Sequence, residues 1–393
     1  MILMSAALGY ASYYTSRSAI AELAYQKNTP ESVVRAVHLA PGNATYHALL
    51  GEYAQGFGAP TEDHLRTAAS LNRFDAKYLN RLGFIAEVQQ DYPAAETVLL
   101  QAAKVDNGFR PRWALMNYYF RRGNSGDFWL WADKTLRRSY GDLTPVFRLC
   151  WAQTPDSQPV EKILPNEPDF RLRYLEYLNA EQPPEAATAL ARVVAAELSP
   201  GADADSALVY CSRILEYNSG AALAVWNKLS ERRAIPFNNL RPEQGLIITN
   251  DDFSLPLDGR GFSWRLRHPD GVHVSSGGNG LTLALDGTQP EIFEILEQAL
   301  PLAPRKRYRI TIDYEITPQT TDSGLRWHVD TMNSRMLAET ETLRGEGTER
   351  QNLTFDSAGD GAAFLRLTFH RPQGKVRWSG TAILHKISAQ VVP

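Results

Sequence analysis

The pattern of apolar and polar positions changes once along the chain, near residue 244. Before this point apolar residues recur at helical spacing, and after it several segments alternate with a period of two. The alternating segments are Tyr308–Ile316, Leu281–Leu285, Leu325–Val329, Leu365–Phe369 and Val376–Trp378, with Gly, Pro, Asn and Asp clusters between them. The pattern therefore predicts a multidomain α + β protein, in which an α-helical solenoid precedes an antiparallel β-sandwich over residues 244–393.

A repeat of helical length marks residues 28–141. Leu39, Tyr46 and Gly51 return 32 residues later as Leu71, Tyr78 and Gly83. A third copy follows after about 34 residues, and a period of this length indicates two stacked helices per repeat. Residues 142–243 continue as helices without a clear period. We predict that they are degenerate helical hairpins followed by a proline-containing linker.

The middle copy resembles the tetratricopeptide repeat. Leu82 and Gly83 stand at the large and small positions of its first helix, and Ala95, Leu99 and Ala102 at the small and apolar positions of its second. Small residues at these positions allow neighbouring helices to approach closely.

This resemblance implies an inner groove, which the first helices of the repeats would form. In the middle copy the groove residues would be Lys77, Asn80, Phe84 and Glu87. In this family such a groove usually holds an extended peptide or a partner helix, so these residues are candidates for docking a protein. The alternative is that they are solvated residues on a spacer.

The first 27 residues begin with an uncharged and mostly apolar run from Met1 to Tyr14. A spanning helix needs about 20 such residues, and the basic residues Arg17 and Lys27 follow the run, whereas in a secretory signal they precede it. The run is therefore the exit half of a membrane anchor that starts upstream, a weak signal segment, or the first helix of the solenoid. We favour the anchor, which would place the protein in the periplasm or on the membrane facing it; the alternative location is the cytoplasm.

Alternation also assigns side chains to the two faces of each strand. Trp264, Trp327 and Trp378 fall on the inward face, which counts against an exposed aromatic platform for sugars. The outward candidates for glycan binding are Arg265, Arg326, His328, Asp330, Arg366 and Arg377. Repeated Arg and His donors suit the hydroxyl or carboxylate groups of an acidic glycan. The alternative is an ordinary solvated sheet face.

The second half resembles a carbohydrate-binding module with a galactose-binding-like jelly roll. The segments that carry the resemblance are Asn250–Phe253, Pro256–Arg265, Leu281–Gly287, Pro304 with Tyr308 and Arg309, and the late strand at Gly380. With the preceding repeats, and with Thr321–Gly324 before a Trp-containing strand, the order is similar to that of bacterial repeat proteins associated with exopolysaccharide production. The resemblance implies a non-catalytic scaffold of the cell envelope, whose repeats dock a protein and whose jelly roll binds glycan.

The charge balance and the Asp and Cys residues limit which classes of partner and cofactor the sequence predicts. The chain has 41 Lys and Arg against 44 Asp and Glu, a net charge of -3, so no nucleic-acid partner is predicted. Asp251, Asp252 and Asp258 are candidate ligands of a structural calcium ion, with turn capping as the alternative, and no other cofactor is predicted. Cys150 and Cys211 are expected to be small buried helix residues, with one disulfide as the alternative.

No catalytic residue is assigned, because the sequence contains no phosphate-binding loop, no zinc-protease motif and no nucleophile elbow. A polysaccharide-modifying enzyme is an alternative function, since glycoside hydrolysis needs two carboxylates across a cleft. Asp313, Glu315 and Asp330 would supply them, although we expect these carboxylates to pair with nearby Arg residues. A purely protein-binding assembly factor is the other alternative.

Overall fold

A computed structural model of the chain describes residues 2–56, 61–318, 322–357 and 361–393. Met1 and Thr321, which belong to the proposed anchor and to the exopolysaccharide-type motif, lie outside the described residues. The chain divides into two compact units, Met1–Pro165 and Asn166–Pro393. As predicted, helices come first and are followed by an antiparallel β-sandwich of two sheets.

The first unit consists of helices joined by short connections. They are α1 (Ile2–Gln26), α2 (Pro30–Leu39), α3 (Ala44–Gly56), α4 (Thr61–Leu71), α5 (Lys77–Val88), α6 (Tyr92–Val105), α7 (Phe109–Arg122), α8 (Ser125–Leu136), α9 (Thr144–Gln153) and α10 (Gln158–Ile163). Successive helices pair as hairpins, α1 with α2, α3 with α4, α5 with α6 and α7 with α8. This arrangement confirms two helices per repeat.

The α5–α6 hairpin shows why the repeat needs a small residue at its centre. A Cβ added at Gly83 of α5 would lie 2.6 Å from Cγ of Leu99 on α6, inside contact distance. Leu82 and Leu99 are buried, as are Ala95 and Ala102. Glycine at position 83 therefore lets the buried Leu99 fill the seam between the helices.

Helix α1 packs through its C-terminal half, where Ala21 and Ala24 join Ala36 and Tyr46 in one apolar cluster. The Tyr46 hydroxyl donates a hydrogen bond of 2.7 Å to the Glu22 carboxylate. None of the helices in the described part of the chain combines the length and the apolarity that crossing a membrane requires.

The second unit contains four longer helices and the sandwich. The helices are α11 (Pro168–Glu181), α12 (Thr188–Glu197), α13 (Asp205–Ile214) and α14 (Ser219–Glu231), with short 3-10 helices at Pro184–Ala187 and Pro242–Gln244. The strands are β1 (Arg265–Leu266), β2 (Val272–Gly277), β3 (Gly280–Leu285), β4 (Ile292–Leu302), β5 (Arg307–Ile316), β6 (Gly324–Thr331), β7 (Met336–Glu339), β8 (Thr348–Asp356), β9 (Gly361–His370) and β10 (Gly380–Val392).

The ten described strands form two five-stranded sheets. The first sheet has the order β1-β4-β9-β6-β7 and the second β2-β3-β10-β5-β8, and every strand pair is antiparallel. The predicted burial of Trp264, Trp327 and Trp378 is confirmed. The rings of Trp264 and Trp327 pack edge to face between the sheets, with their centroids 6.1 Å apart.

Two of the predicted strand segments differ from the structure. Val376–Trp378 is not a strand, because side chains satisfy its backbone: the Ser323 hydroxyl donates to the Val376 carbonyl (2.6 Å), and the Gln289 amide donates to the Trp378 carbonyl (2.6 Å). The run Phe262–Leu266, whose alternation assigned Trp264 to the inward face and Arg265 to the outward face, forms a strand only at its last two residues. A turn at Gly261 and Phe262 precedes the strand, and Gly261 has a φ of 56°.

Candidate functional site

Four strands of the first sheet bring predicted donors into one line on its outer face. In the strand register Arg265 lies opposite Glu297, Glu297 opposite Arg366, and Arg366 opposite His328. We call these four residues and Asp330 the polar row. The sequence alone did not show which strands share a sheet, and the pairing of β1, β4, β9 and β6 is what makes these side chains converge.

Ion pairs and hydrogen bonds connect the polar row. Glu297 accepts from Arg265 Nη1 at 2.9 Å and from Arg366 Nε at 2.8 Å. Asp330 Oδ2 lies 3.0 Å from Arg366 Nη1 and 3.0 Å from His328 Nε2. Each carboxylate therefore binds two donors, and Arg366 lies between the two carboxylates.

Burial makes Arg366 the central residue of the polar row. Glu297 and Asp330 are only 5% and 7% exposed. Burial disfavours the charge on Arg366, but hydrogen bonds and charges from Glu297, Glu294 and Asp330 outweigh it and raise the pKa of the guanidinium. The guanidinium also lies over the Phe364 ring, 4.6 Å from its centroid. The polar row is thus a pre-ordered, charge-balanced surface.

Sequence reasoning missed the two glutamates of β4 that complete this surface. Glu294 and Glu297 are three residues apart, a spacing that places side chains on opposite faces of a regular strand. A bulge between Glu294 and Leu296 brings both to the outer face, where Glu294 lies opposite Thr368 and Glu297 opposite Arg366. Alternation cannot reveal such a bulge.

The two remaining glycan candidates lie outside the polar row. Arg326 is on β6, where its Nε donates to the Thr342 hydroxyl (3.1 Å) and its Nη1 is 3.9 Å from Glu339. Arg377 is in the connection that precedes β10, because its predicted strand does not form. Five of the six candidates therefore share one sheet, and four of these five belong to the polar row.

The first unit contains a pocket beside α5 that includes three of the four predicted groove residues. Its volume is about 190 Å³, and its lining is Asn80, Phe84, Glu87, Leu99, Trp113, Ala114, Asn117 and Arg121. We call it the repeat pocket. Arg121 forms two hydrogen bonds with Glu87, at 2.7 and 2.6 Å, and so ties α7 to α5 at the rim.

Lys77, the fourth groove candidate, is outside the repeat pocket. Its ammonium lies over the neighbouring Tyr78 ring, 4.9 Å from the centroid. Trp113, Asn117 and Arg121 of α7 line the repeat pocket but were not among the groove candidates. The signal for them is the repeat itself, since the first helix of the next copy forms the neighbouring wall of the groove.

The aspartates proposed as calcium ligands make local turn contacts. Asp252 and Asp258 accept hydrogen bonds from the backbone N–H of Ser254 and Arg260, both at 3.1 Å. The Ser254 contacts hold the pKa of Asp252 below its usual range. The Asp251 carboxylate lies 3.4 Å from the Lys386 ammonium. Among the described residues no group of three or more His, Cys, Asp or Glu side chains is arranged to hold a metal ion.

The carboxylates that an enzyme would use are on opposite faces of the sandwich. Asp330 is on the outer face of the first sheet, whereas Asp313 and Glu315 lie on β5 of the second and line a polar pocket of about 450 Å³. Arg350 contacts both oxygens of Asp313, at 2.6 and 3.1 Å, and Glu315 lies 3.1 Å from His385 Nε2. The expected Arg pairing is confirmed for Asp313 and Asp330, while Glu315 contacts a histidine.

Comparison with known proteins yields likenesses of fold. No protein-family model matches the sequence, and no curated protein matches it. A solved carbohydrate-binding module, CBM4, is 11% identical over 37% of this chain and 99% of its own, with a TM-score of 0.30. The module TmCBM61, solved with β-1,4-galactotriose, is 14% identical over 36% of this chain and 96% of its own, with a TM-score of 0.26. Pseudomonas aeruginosa PilF is 18% identical over 57% of this chain and 93% of its own, with a TM-score of 0.29.

Proposed function

We propose that this protein is a non-catalytic interaction protein of the cell envelope, in which the helical repeats dock a segment of a protein partner and the sandwich unit binds a glycan. The process it serves is the production or export of an exopolysaccharide. The repeat pocket is the observation that carries the proposal, because it combines an exposed aromatic ring with an amide oxygen that has no hydrogen-bond partner among the described residues.

Phe84 is 54% exposed although it is a large apolar side chain on a helix of the repeat unit. Beside it the side-chain oxygen of Asn80 is buried and has no hydrogen-bond partner among the described residues. An amide oxygen of this kind accepts a hydrogen bond from a peptide N–H. The combination suits an extended peptide that places one apolar side chain against Phe84 and a backbone N–H on Asn80.

The polar row supports glycan binding by the second unit. Its buried carboxylates hold the guanidinium groups in place, and the side chain of Arg265 is 42% exposed and can donate to the oxygen atoms of sugar hydroxyls. The charges of Arg265, Arg366, Glu297 and Asp330 balance, which is a reason to include neutral as well as acidic polysaccharides among the ligands tested.

Peptide display on the full chain tests the repeat pocket. A random peptide library is panned on the immobilised protein, and the Kd of each selected peptide is measured for the unmodified chain and for Phe84→Ala. We expect a loss of at least tenfold, because the anchoring ring is removed. Phe74→Ala is the matched control, since Phe74 is 83% exposed and is not part of the repeat pocket. Equal binding to Phe84→Ala and Phe74→Ala would refute docking at the repeat pocket.

A further inference from the structure

A wide cleft of the second unit lies between its helices and one end of the sandwich. Its volume is about 950 Å³. The turn between α13 and α14 forms one wall, and the β6–β7 turn and the end of β4 form the others. We call it the end cleft. Its size is that of a site for a ligand larger than a single sugar.

Buried hydrogen bonds fix the base of the end cleft. The hydroxyl of Tyr308 accepts from the N–H of Ala303 (2.9 Å) and donates to the carbonyl of Pro242 (3.1 Å). The hydroxyl of Ser357 donates to the Ala303 carbonyl (2.6 Å) and accepts from the N–H of Lys306 (3.0 Å). The segments at Pro242, Ala303 and Ser357 are therefore held together without a ligand, and a pre-organised site loses less entropy on binding.

Tyr217 gives the end cleft the aromatic surface that the sandwich itself keeps inside. It lies in the α13–α14 turn, lines the end cleft and is 66% exposed. The three Trp rings of the strand region are buried, so they cannot stack on a sugar. An exposed ring at a cleft offers a flat apolar face to the C–H groups of a pyranose.

Polar side chains of the same cleft are available to bind hydroxyl groups. Glu216, Asn333 and Arg335 line the end cleft and are exposed. Within residues 2–56, 61–318, 322–357 and 361–393 their side chains form no hydrogen bond or ion pair with another residue. They supply an acceptor, an amide and a planar donor, which together match the diols of a sugar ring.

We propose that the end cleft is a binding site for a neutral oligosaccharide segment, with Tyr217 as the stacking platform and with Glu216, Asn333 and Arg335 as hydroxyl-binding groups. Charge decides the class of glycan. The lining contains the carboxylates of Glu216, Glu243 and Asp356 and the cation Arg335. Lys306 and Arg307 pair with Glu243 and Asp356, at 3.1 and 3.8 Å, so the charges at the end cleft balance. A balanced lining offers no excess positive charge to hold a polyanion, whereas neutral hydroxyls need none. This inference rests on the proposed glycan binding and assigns it a place and a ligand class.

The test measures binding of the full chain to dextran, a β-glucan, a galactan and alginate, at low and high salt. We expect saturable binding to at least one neutral polymer. Tyr217→Ala should weaken it about tenfold through loss of the aromatic contact, and Tyr217→Phe should retain it within about threefold because the ring remains. Tyr140→Ala is the matched control, since Tyr140 is 81% exposed and does not line the end cleft. Because Tyr217 is exposed, its substitution should not change the stability of the fold. Equal thermal unfolding midpoints of the variants and the unmodified chain verify this.

Each other outcome overturns a specific statement. Neutral-glycan binding that survives Tyr217→Ala but falls in Arg366→Gln would refute the end cleft and move the site to the polar row, leaving the proposed function intact. Binding to alginate alone would refute the neutral class. No binding to any of the four polymers would refute the glycan part of the proposed function and the end cleft with it.

Discussion

Substitution of Gly261 by alanine tests how the helices and the sandwich of the second unit are joined. Gly261 has a φ of 56°, a region that L-residues rarely adopt. A Cβ at this position would lie 3.0 Å from two ring carbons of Trp226 on α14 and 3.2 Å from Cβ of Cys211 on α13. Trp226 and Cys211 are fully buried and have little room to move. The variant therefore suffers both backbone strain and overpacking.

The two costs can be separated. The left-handed backbone costs an alanine about 1–2 kcal/mol, and overpacking of a dense core adds about 1–3 kcal/mol. Gly374→Ala supplies the matched control, because Gly374 has a φ of 77° in the same unit and a Cβ there meets no atom within 4 Å. We expect Gly261→Ala to lower the free energy of unfolding by about 1–3 kcal/mol more than Gly374→Ala does.

Native-state hydrogen exchange of the full chain, read by mass spectrometry on peptides that cover α14, measures this difference locally. Faster exchange of the α14 amides in Gly261→Ala than in Gly374→Ala is the expected result. Equal exchange in both variants would show that Trp226 and Cys211 shift to accommodate the added Cβ, and the account of close packing between Gly261 and these side chains would then be wrong.

Two further predictions concern buried groups. Arg366→Ala leaves the buried carboxylates of Glu297 and Asp330 without their shared cation; the loss of stability should be about 2–4 kcal/mol, less than for a fully buried pair because Arg366 is partly exposed. Chemical denaturation measures it, and a loss no larger than that of Arg350→Ala, which breaks an exposed pair with Asp313, would contradict this account. Burial raises the pKa of the Cys150 thiol to about 12 and raises that of Cys211 as well, so both stay protonated and unreactive at pH 8. A disulfide-exchange reagent should label neither in the folded protein and both in denaturant; rapid labelling of the folded protein would show that the thiols are accessible.

The strands were predictable where alternation is long, and the polar row was predictable only in part. Tyr308–Ile316 and Leu365–Phe369 alternate over enough positions to define both a strand and its inward face, and β5 and β9 contain them. Arg366 followed from the alternation of Leu365–Phe369, and His328 and Arg265 followed from the same pattern in two shorter runs. Glu294 and Glu297 did not, because the bulge that brings them to one face arises from the pairing of β4 with β9.

The repeat pocket shows a similar division. The 32-residue period located α5, and Asn80, Phe84 and Glu87, which were predicted to face the groove, line the repeat pocket. The contribution of α7 depends on how successive hairpins stack, which is a tertiary property. The end cleft was not predicted at all, because its lining comes from segments that are far apart in sequence, from Leu215 to Ala362.

The turn that ends at Trp264 explains why the helices from Pro168 onward belong to the same compact unit as the sandwich. The predicted domain boundary at 243/244 follows the change from helix to strand, whereas the compact units divide between Pro165 and Asn166. Phe262 is fully buried and packs edge to face on Trp226, with ring centroids 5.6 Å apart. The N–H of Gly261 donates to the hydroxyl of Ser212 at 2.7 Å.

A fragment that starts at Gly245 would lose both contacts. Exposing the Phe262 ring alone costs about 1.5–3 kcal/mol, and the fragment would also lack Tyr217 and one wall of the end cleft. We expect it to unfold at a lower temperature than a fragment that starts at Asn166, and equal midpoints in calorimetry would show that α13 and α14 contribute nothing to the sandwich. A glycan-binding test on the shorter fragment would therefore examine an incomplete site, which is why the full chain is the right sample for it.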